Sequence, residues 1–279
     1  MNRGDRMTGR HSRAAMLGRA ALAGTLLAGI AGAALAGQAC RAEPLSPQAM
    51  VQGLTLAQKT AEALDAEHAR SGARVVLLAR AGQDLTRYGL HWSHAGWAYK
   101  TDAGPWRVLH KLNACGTAHS AIWRHGLGEF FLDDLWRAEA TWTVPAPALQ
   151  QPLLRLLQDP QAGPRLHERA YSMVSYAWGT RYQQSNQWAL ETLAMAAEPA
   201  VAQRPQAQAW LRFKGYQPAV MRIGAMTRLG ARVGMANVAF DDHPNEQRYA
   251  GRIETVTVES MLDWLPRAGL GSAPQRLSL

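Results

Sequence analysis

Histidine is the side chain best suited to moving a proton near neutral pH, and two of the nine histidines fall where a fold can use them together. The stretch from Gly82 to Tyr99, GQDLTRYGLHWSHAGWAY, crowds Asp84, Tyr88, His91, Ser93 and His94 ahead of an apolar run. His94 stands at the start of that run, beside the small residues Ala95 and Gly96. His110 follows sixteen residues later within a second apolar run, so adjacent strands would bring the two imidazoles within hydrogen-bonding range. One ring would then orient the other, as the third member of a catalytic triad orients its base. Two partly buried strand histidines with no chemistry to perform have the same spacing. Ser185, in RYQQSNQWALETLA, precedes a helical pattern. Exposed N–H groups and the dipole at such a start stabilise a developing anion and suit a nucleophile; an ordinary N-cap uses serine at the same place.

Other chemistries find less support. HExxH, paired CxxC and EF-hand patterns are absent, and the spacings of His91 with His94 and of His119 with His125 are weak for a metal. No GxGxxG or Walker sequence supports a nucleotide. Neither a metal nor another cofactor is therefore expected. The acidic pairs Asp133/Asp134 and Asp241/Asp242, the second just before His243, read as solvated turns.

The elements that must position these residues follow from periodicity. Residues 46–70 carry apolar positions at mixed three and four spacing after Ser46 and Pro47, a helix that Gly72 stops. Arg74 to Arg80 (RVVLLAR) has buried-strand length and composition. His94 to Tyr99 and Trp106 to Leu112 read as strands around the turn DAGP, and Ala140 to Val144 as another ending at Pro145. Helices are expected over Leu149 to Leu157, Asn186 to Ala197 with Ser185 as cap, and Gln206 to Lys214. Strands are expected at Val238 to Phe240 and Arg252 to Val258, before a short helix at Ser260 to Leu265. The order of helix, strands, helices and strands suits an α+β fold, a compact and mainly antiparallel sheet packed against helices. No linker forces a second domain within residues 37–279.

Residues 1–36 read as an address rather than as part of that fold. Met1 to Arg19 is polar and holds five arginines, and Ala20 to Ala36 is uncharged, small and apolar, the layout of an export signal. Cleavage is expected after Ala36, with Ala42 as a second point; a lipoprotein at Cys40 or a retained anchor fits the pattern less well. No later stretch is long and apolar enough to span a bilayer, so a periplasmic or secreted chain is expected. The whole chain has 30 basic and 21 acidic residues; without residues 1–36 the excess falls to five. Only four lysines are present, and no dense basic run follows the leader, which argues against nucleic acid as a partner. Cys40 and Cys115 both survive cleavage, and an even pair in an oxidising compartment is expected to bridge.

Four long motifs in order, GQDLTRYGLHWSHAGWAY, WRVLHKLNACGTAHS, GLGEFFLDD and YQQSNQWALETLA, resemble the bacterial family known as domain of unknown function 2145. The resemblance covers essentially the whole chain after the leader and implies an exported protein without a settled activity. A more distant likeness is to the circularly permuted papain-like amidases of the NlpC type. SHAGWAY, VLHKLN and QSNQWALE fall in the order of their catalytic histidine strand, orienting strand and nucleophile helix. That likeness implies a permuted papain-like architecture, with His94 as base, His110 as orienting residue and Ser185 as nucleophile in place of cysteine. The expected substrate is an amide or ester bond in cell-wall peptide or lipid. The alternative is a non-catalytic binding or assembly protein on the same scaffold, its cleft lined by tryptophans such as Trp92, Trp97, Trp123 and Trp188.

Overall fold

Ser46 opens helix α1 (Pro47–Ser71), its hydroxyl accepting the Ala49 N–H at 3.1 Å, and Pro47 sits in the first turn, where no N–H is needed. Gly72 closes the helix at φ 72°, a left-handed position that glycine adopts without strain. The structure, a computed structural model, describes residues 44–279 with the exception of 103. The expectations for the leader, its cleavage points and Cys40, and hence for the pairing of Cys40 with Cys115, lie outside the described residues. Among the described residues no helix is long and apolar enough to cross a membrane.

The architecture is α+β. After α1 come β1 (Val75–Arg80), a short turn of helix, β2 (His94–Lys100), β3 (Trp106–Asn113), β4 (Ser120–Gly126), α2 (Leu127–Phe131), β5 (Glu139–Thr143) and α3 (Pro147–Gln158). A long irregular connection leads to α4 (Ser185–Ala197) and α5 (Arg204–Phe213). Next are β6 (Ala219–Arg222), α6 (Ala225–Gly234), α7 (Asn245–Tyr249), β7 (Arg252–Thr255), α8 (Val258–Arg267) and β8 (Gln275–Ser278). Six strands form a sheet in the order β4-β3-β2-β1-β5-β8, every neighbouring pair antiparallel, and β6 pairs with β7 in a separate ribbon.

Helices cover both faces of the sheet, which is why β1 is buried along its whole length and reads as an unbroken apolar run rather than an alternation. Val75, Leu77 and Ala79 join Trp97, Tyr99 and residues of α3, α4, α5 and α8 in the larger core. Val76 and Leu78 point the other way, into a core shared with Ala98, Val108, α1 and α2. A third, small cluster holds the β6–β7 ribbon, with Val174, Val238, Phe240 and Ile253.

Several expected elements change. Val238 to Phe240 is not a strand: both apolar side chains are buried in the third cluster, but the neighbouring β7 already pairs with β6 and offers no partner there. The strand expected to reach Val258 ends at Thr255, because the Thr257 hydroxyl accepts the Ser260 N–H at 3.1 Å and starts α8 at Val258. Helix α4 is capped by Gln184, not by Ser185: the Gln184 side chain accepts the Asn186 N–H at 3.0 Å, which leaves Ser185 as the first helical residue.

Candidate functional site

β2 and β3 bring the two expected histidines together. The His94 Nε2 lies 2.8 Å from His110 Nδ1, and both rings are buried. Gly96 makes this contact possible. A Cβ there would come within 2.8 Å of the His110 Cβ and of a Val108 methyl, so any larger residue would push β3 away. The pair is part of a longer chain, because His110 Nε2 sits 3.0 Å from His125 Nδ1 on β4. Each link needs one donor and one acceptor, so the three neutral rings share one direction of N–H bonds. The three protons therefore sit either all on Nε2 or all on Nδ1.

Phe130 of α2 packs against both inner rings, its centroid 5.8 Å from His94 and 5.3 Å from His110, and the Arg80 guanidinium lies over the same ring. Arg80 is buried, donates to the Phe130 carbonyl and pairs with Asp133. Burial holds the His94 imidazole well below its ordinary pKa, helped by the Arg80 and His125 charges. His110 is lowered well below it too, by burial first and then by His94, Arg80 and His125. The relay is therefore neutral at pH 7, the state a general base requires.

Ser185 opens α4, the helix whose later residues cover the opposite face of the sheet from Phe130. Ala95, Trp97 and Tyr99 point into the larger core under α4, where Trp97 Nε1 donates to the Ala189 carbonyl at 3.0 Å. His94, Gly96 and Ala98 alternate to the side of Phe130 and α2. The two elements nevertheless meet, since the Ala95 N–H donates to Asn186 Oδ1 at 3.0 Å beyond the point where β2–β3 pairing ends at Trp97. His94 Nδ1 makes no hydrogen bond among the described residues, and the buried Ser185 Oγ has only the Tyr171 phenol beside it. Ser185 thus neither bonds to His94 nor caps its own helix. The Tyr171 phenol stands beside it; burial pushes that group up to about 12, partly opposed by Ser185, so it keeps its proton.

A buried polar network fixes the start of α4. Glu191 accepts from Arg204 at 2.7 Å, from Gln183 at 2.6 Å and from Gln208 at 2.8 Å, while Lys111 Nζ reaches Gln183 Oε1 at 2.7 Å and the Glu168 carbonyl at 2.6 Å. These bonds tie β3 and the long connection to the helix. Sequence reasoning weighed His125 only beside His119 and missed Arg80, Tyr171 and Asn186. For His125 the signal lay in the turn before SAIWRHG, which returns that run antiparallel to β3 with His125 opposite Val108. Of the four tryptophans expected to line a cleft, Trp92, Trp97 and Trp188 are in the larger core, and Trp123 is half exposed on β4.

No curated protein and no solved structure matches the chain. A family described as an uncharacterized protein conserved in bacteria, DUF2145, matches residues 67–265. That match takes in the histidine relay, the whole of α4 and the network around Glu191, and the chain belongs to this bacterial family.

Proposed function

We propose that the chain is a non-catalytic binding or assembly protein of the bacterial envelope, built on a permuted papain-like scaffold and exported by residues 1–36. The observation that carries this reading is that the buried Ser185 hydroxyl and His94 Nδ1 form no hydrogen bond with each other. A serine nucleophile needs its base within about 3 Å, or modestly farther before substrate binds, and the Ser185 hydroxyl has no such partner. His94 and Ser185 are only 1% and 3% exposed, which suits a framework better than a site for a bulky substrate.

A specific observation favours a second reading, a hydrolase of amide or ester bonds in cell-wall peptide or lipid. Two groups able to react, His94 Nδ1, buried without a partner, and Ser185 Oγ, with only the Tyr171 phenol beside it, lie on elements that touch through Ala95 and Asn186. A buried polar atom left unpaired costs about 1–3 kcal/mol, and such sites are often functional. In this reading Ser185 attacks, His94 takes its proton, His110 orients His94, and the protonated Tyr171 stands ready to donate to a developing oxyanion. Labelling of the full chain with a fluorophosphonate probe, beside Ser185→Ala, separates the two. Equal background labelling is the expected result. Labelling that disappears in the alanine variant would overturn the proposal in favour of the hydrolase.

A further inference from the structure

Helix α6 leaves one end of the β6–β7 ribbon and α7 returns to it, and together they present an apolar surface ringed by arginine. Met226 is 80% exposed, Leu229 58% and Tyr249 74%, a concentration of exposed large apolar groups that a soluble surface rarely carries without purpose. Between the helices lies a cavity of about 270 Å³ lined by Ala225, Arg228, Leu229, Phe240, Arg248 and Tyr249. No carboxylate lines it.

The cations around it are held in place yet lack acidic partners. Arg228 donates to the Ile223 carbonyl at 2.9 Å, and Arg248 donates to Asn245 Oδ1 at 2.9 Å and to the Tyr249 hydroxyl. Neither forms an ion pair among the described residues, and each guanidinium has further N–H groups to offer. At the same end of the ribbon Arg222 and Arg252 stand directly opposite each other across the two strands. Like charges in that position destabilise a strand pair, and among the described residues Arg252 pairs with Glu254 only at 3.9 Å. Gly251, the residue before Arg252, lies against Arg228: a Cβ there would be 3.6 Å from the Arg228 Nη1. The four arginines therefore cluster, with Glu246 on α7 as the nearby exposed acid.

We propose that this face docks on an anionic phospholipid bilayer, with Arg228 and Arg248 holding a headgroup phosphate and Met226, Leu229 and Tyr249 entering the headgroup–acyl boundary. A dissolved phosphate would use the guanidiniums and leave the apolar residues in water. A zwitterionic surface would use the apolar residues and leave the Arg228 and Arg248 charges uncompensated. An anionic bilayer satisfies both, and arginine beside aromatic and aliphatic groups is the composition of interfacial segments. The inference is independent of what Ser185 does.

The test uses the full chain with Met226→Cys, labelled with a polarity-sensitive fluorophore, and the equally treated wild-type chain as control for Cys40 and Cys115. Because the label reports only on α6, membrane binding through residues 1–36 does not mimic the result. The expected outcome is a blue-shifted emission with phosphatidylglycerol vesicles, absent with phosphatidylcholine. Arg228→Gln and Arg248→Gln, introduced into the labelled chain, should each weaken the response about fivefold. Three results would overturn the proposal: an α6 label that stays in water while the chain sediments with vesicles, a response abolished by millimolar inorganic phosphate, or a shift that appears without vesicles as protein concentration rises. The second would assign the cavity to a free anion and the third would assign the face to another copy of the chain.

Discussion

His94 and His110 stay neutral because burial removes the water that would solvate a proton on either ring, and because Arg80 already occupies the same pocket as a cation. Both pKa values are depressed, so the sign of the linkage is fixed. In the unfolded chain both histidines titrate near 6.5, and below that pH the unfolded state binds protons that the folded state refuses. Stability is fully present above pH 6.5 and is lost as pH falls toward the folded values. His167, drawn down to about 4 mainly by its burial, acts in the same direction over the window from 6.5 to about 4. Both relay histidines should therefore lower stability at pH 5 relative to pH 7.5. Urea midpoints at pH 7.5 and pH 5 measure this; equal midpoints would mean that the relay takes up protons without unfolding.

Among the elements, the hairpin of β2 and β3 depends on one missing side chain. Gly96→Ala should cost about 1–3 kcal/mol through overpacking, since the new methyl meets His110 and Val108 at 2.8 Å. It should also part the two imidazoles, which histidine ¹⁵N shifts would register; an unchanged coupling between His94 and His110 would remove glycine from its supporting role. This hairpin was legible in the sequence, because two apolar runs and a DAGP turn leave few other pairings. Strand β1 was legible as an unbroken aliphatic run. Strand β4 was not, since SAIWRHG lies at the sheet edge and mixes polar and apolar groups on a half-exposed surface. Helix α6 was hidden by Gly230 inside it and by an apolar side that faces outward. The meeting of His94 with His110 could be read from spacing. The missing bond between Ser185 and His94 could not, because spacing does not say how closely the start of a distant helix approaches the end of a strand. Gln184 displaced Ser185 as the cap because its side chain, also bonded to the Val256 carbonyl, is anchored from the far end of the chain.

For the molecule as a whole, β8 closes one edge of the six-stranded sheet. β8 pairs with β5 over four positions, Gln275 donates to Glu67 on α1, and Arg276 meets Glu139. Deleting residues 275–279 should remove about 3 kcal/mol, at roughly 1 kcal/mol net per lost hydrogen bond, and leave β5 as a bare edge open to self-association. Thermal unfolding and size-exclusion chromatography would show a lowered midpoint and higher-order species; a monomer of unchanged midpoint would make β8 dispensable. The bond from the Thr141 hydroxyl to the Gln275 carbonyl spans 134 positions, so this edge belongs to the slow, non-local part of folding. Completion of the sheet thus waits on a pairing between distant parts of the chain, so any partly folded form keeps that edge of β5 unpaired until β8 reaches it.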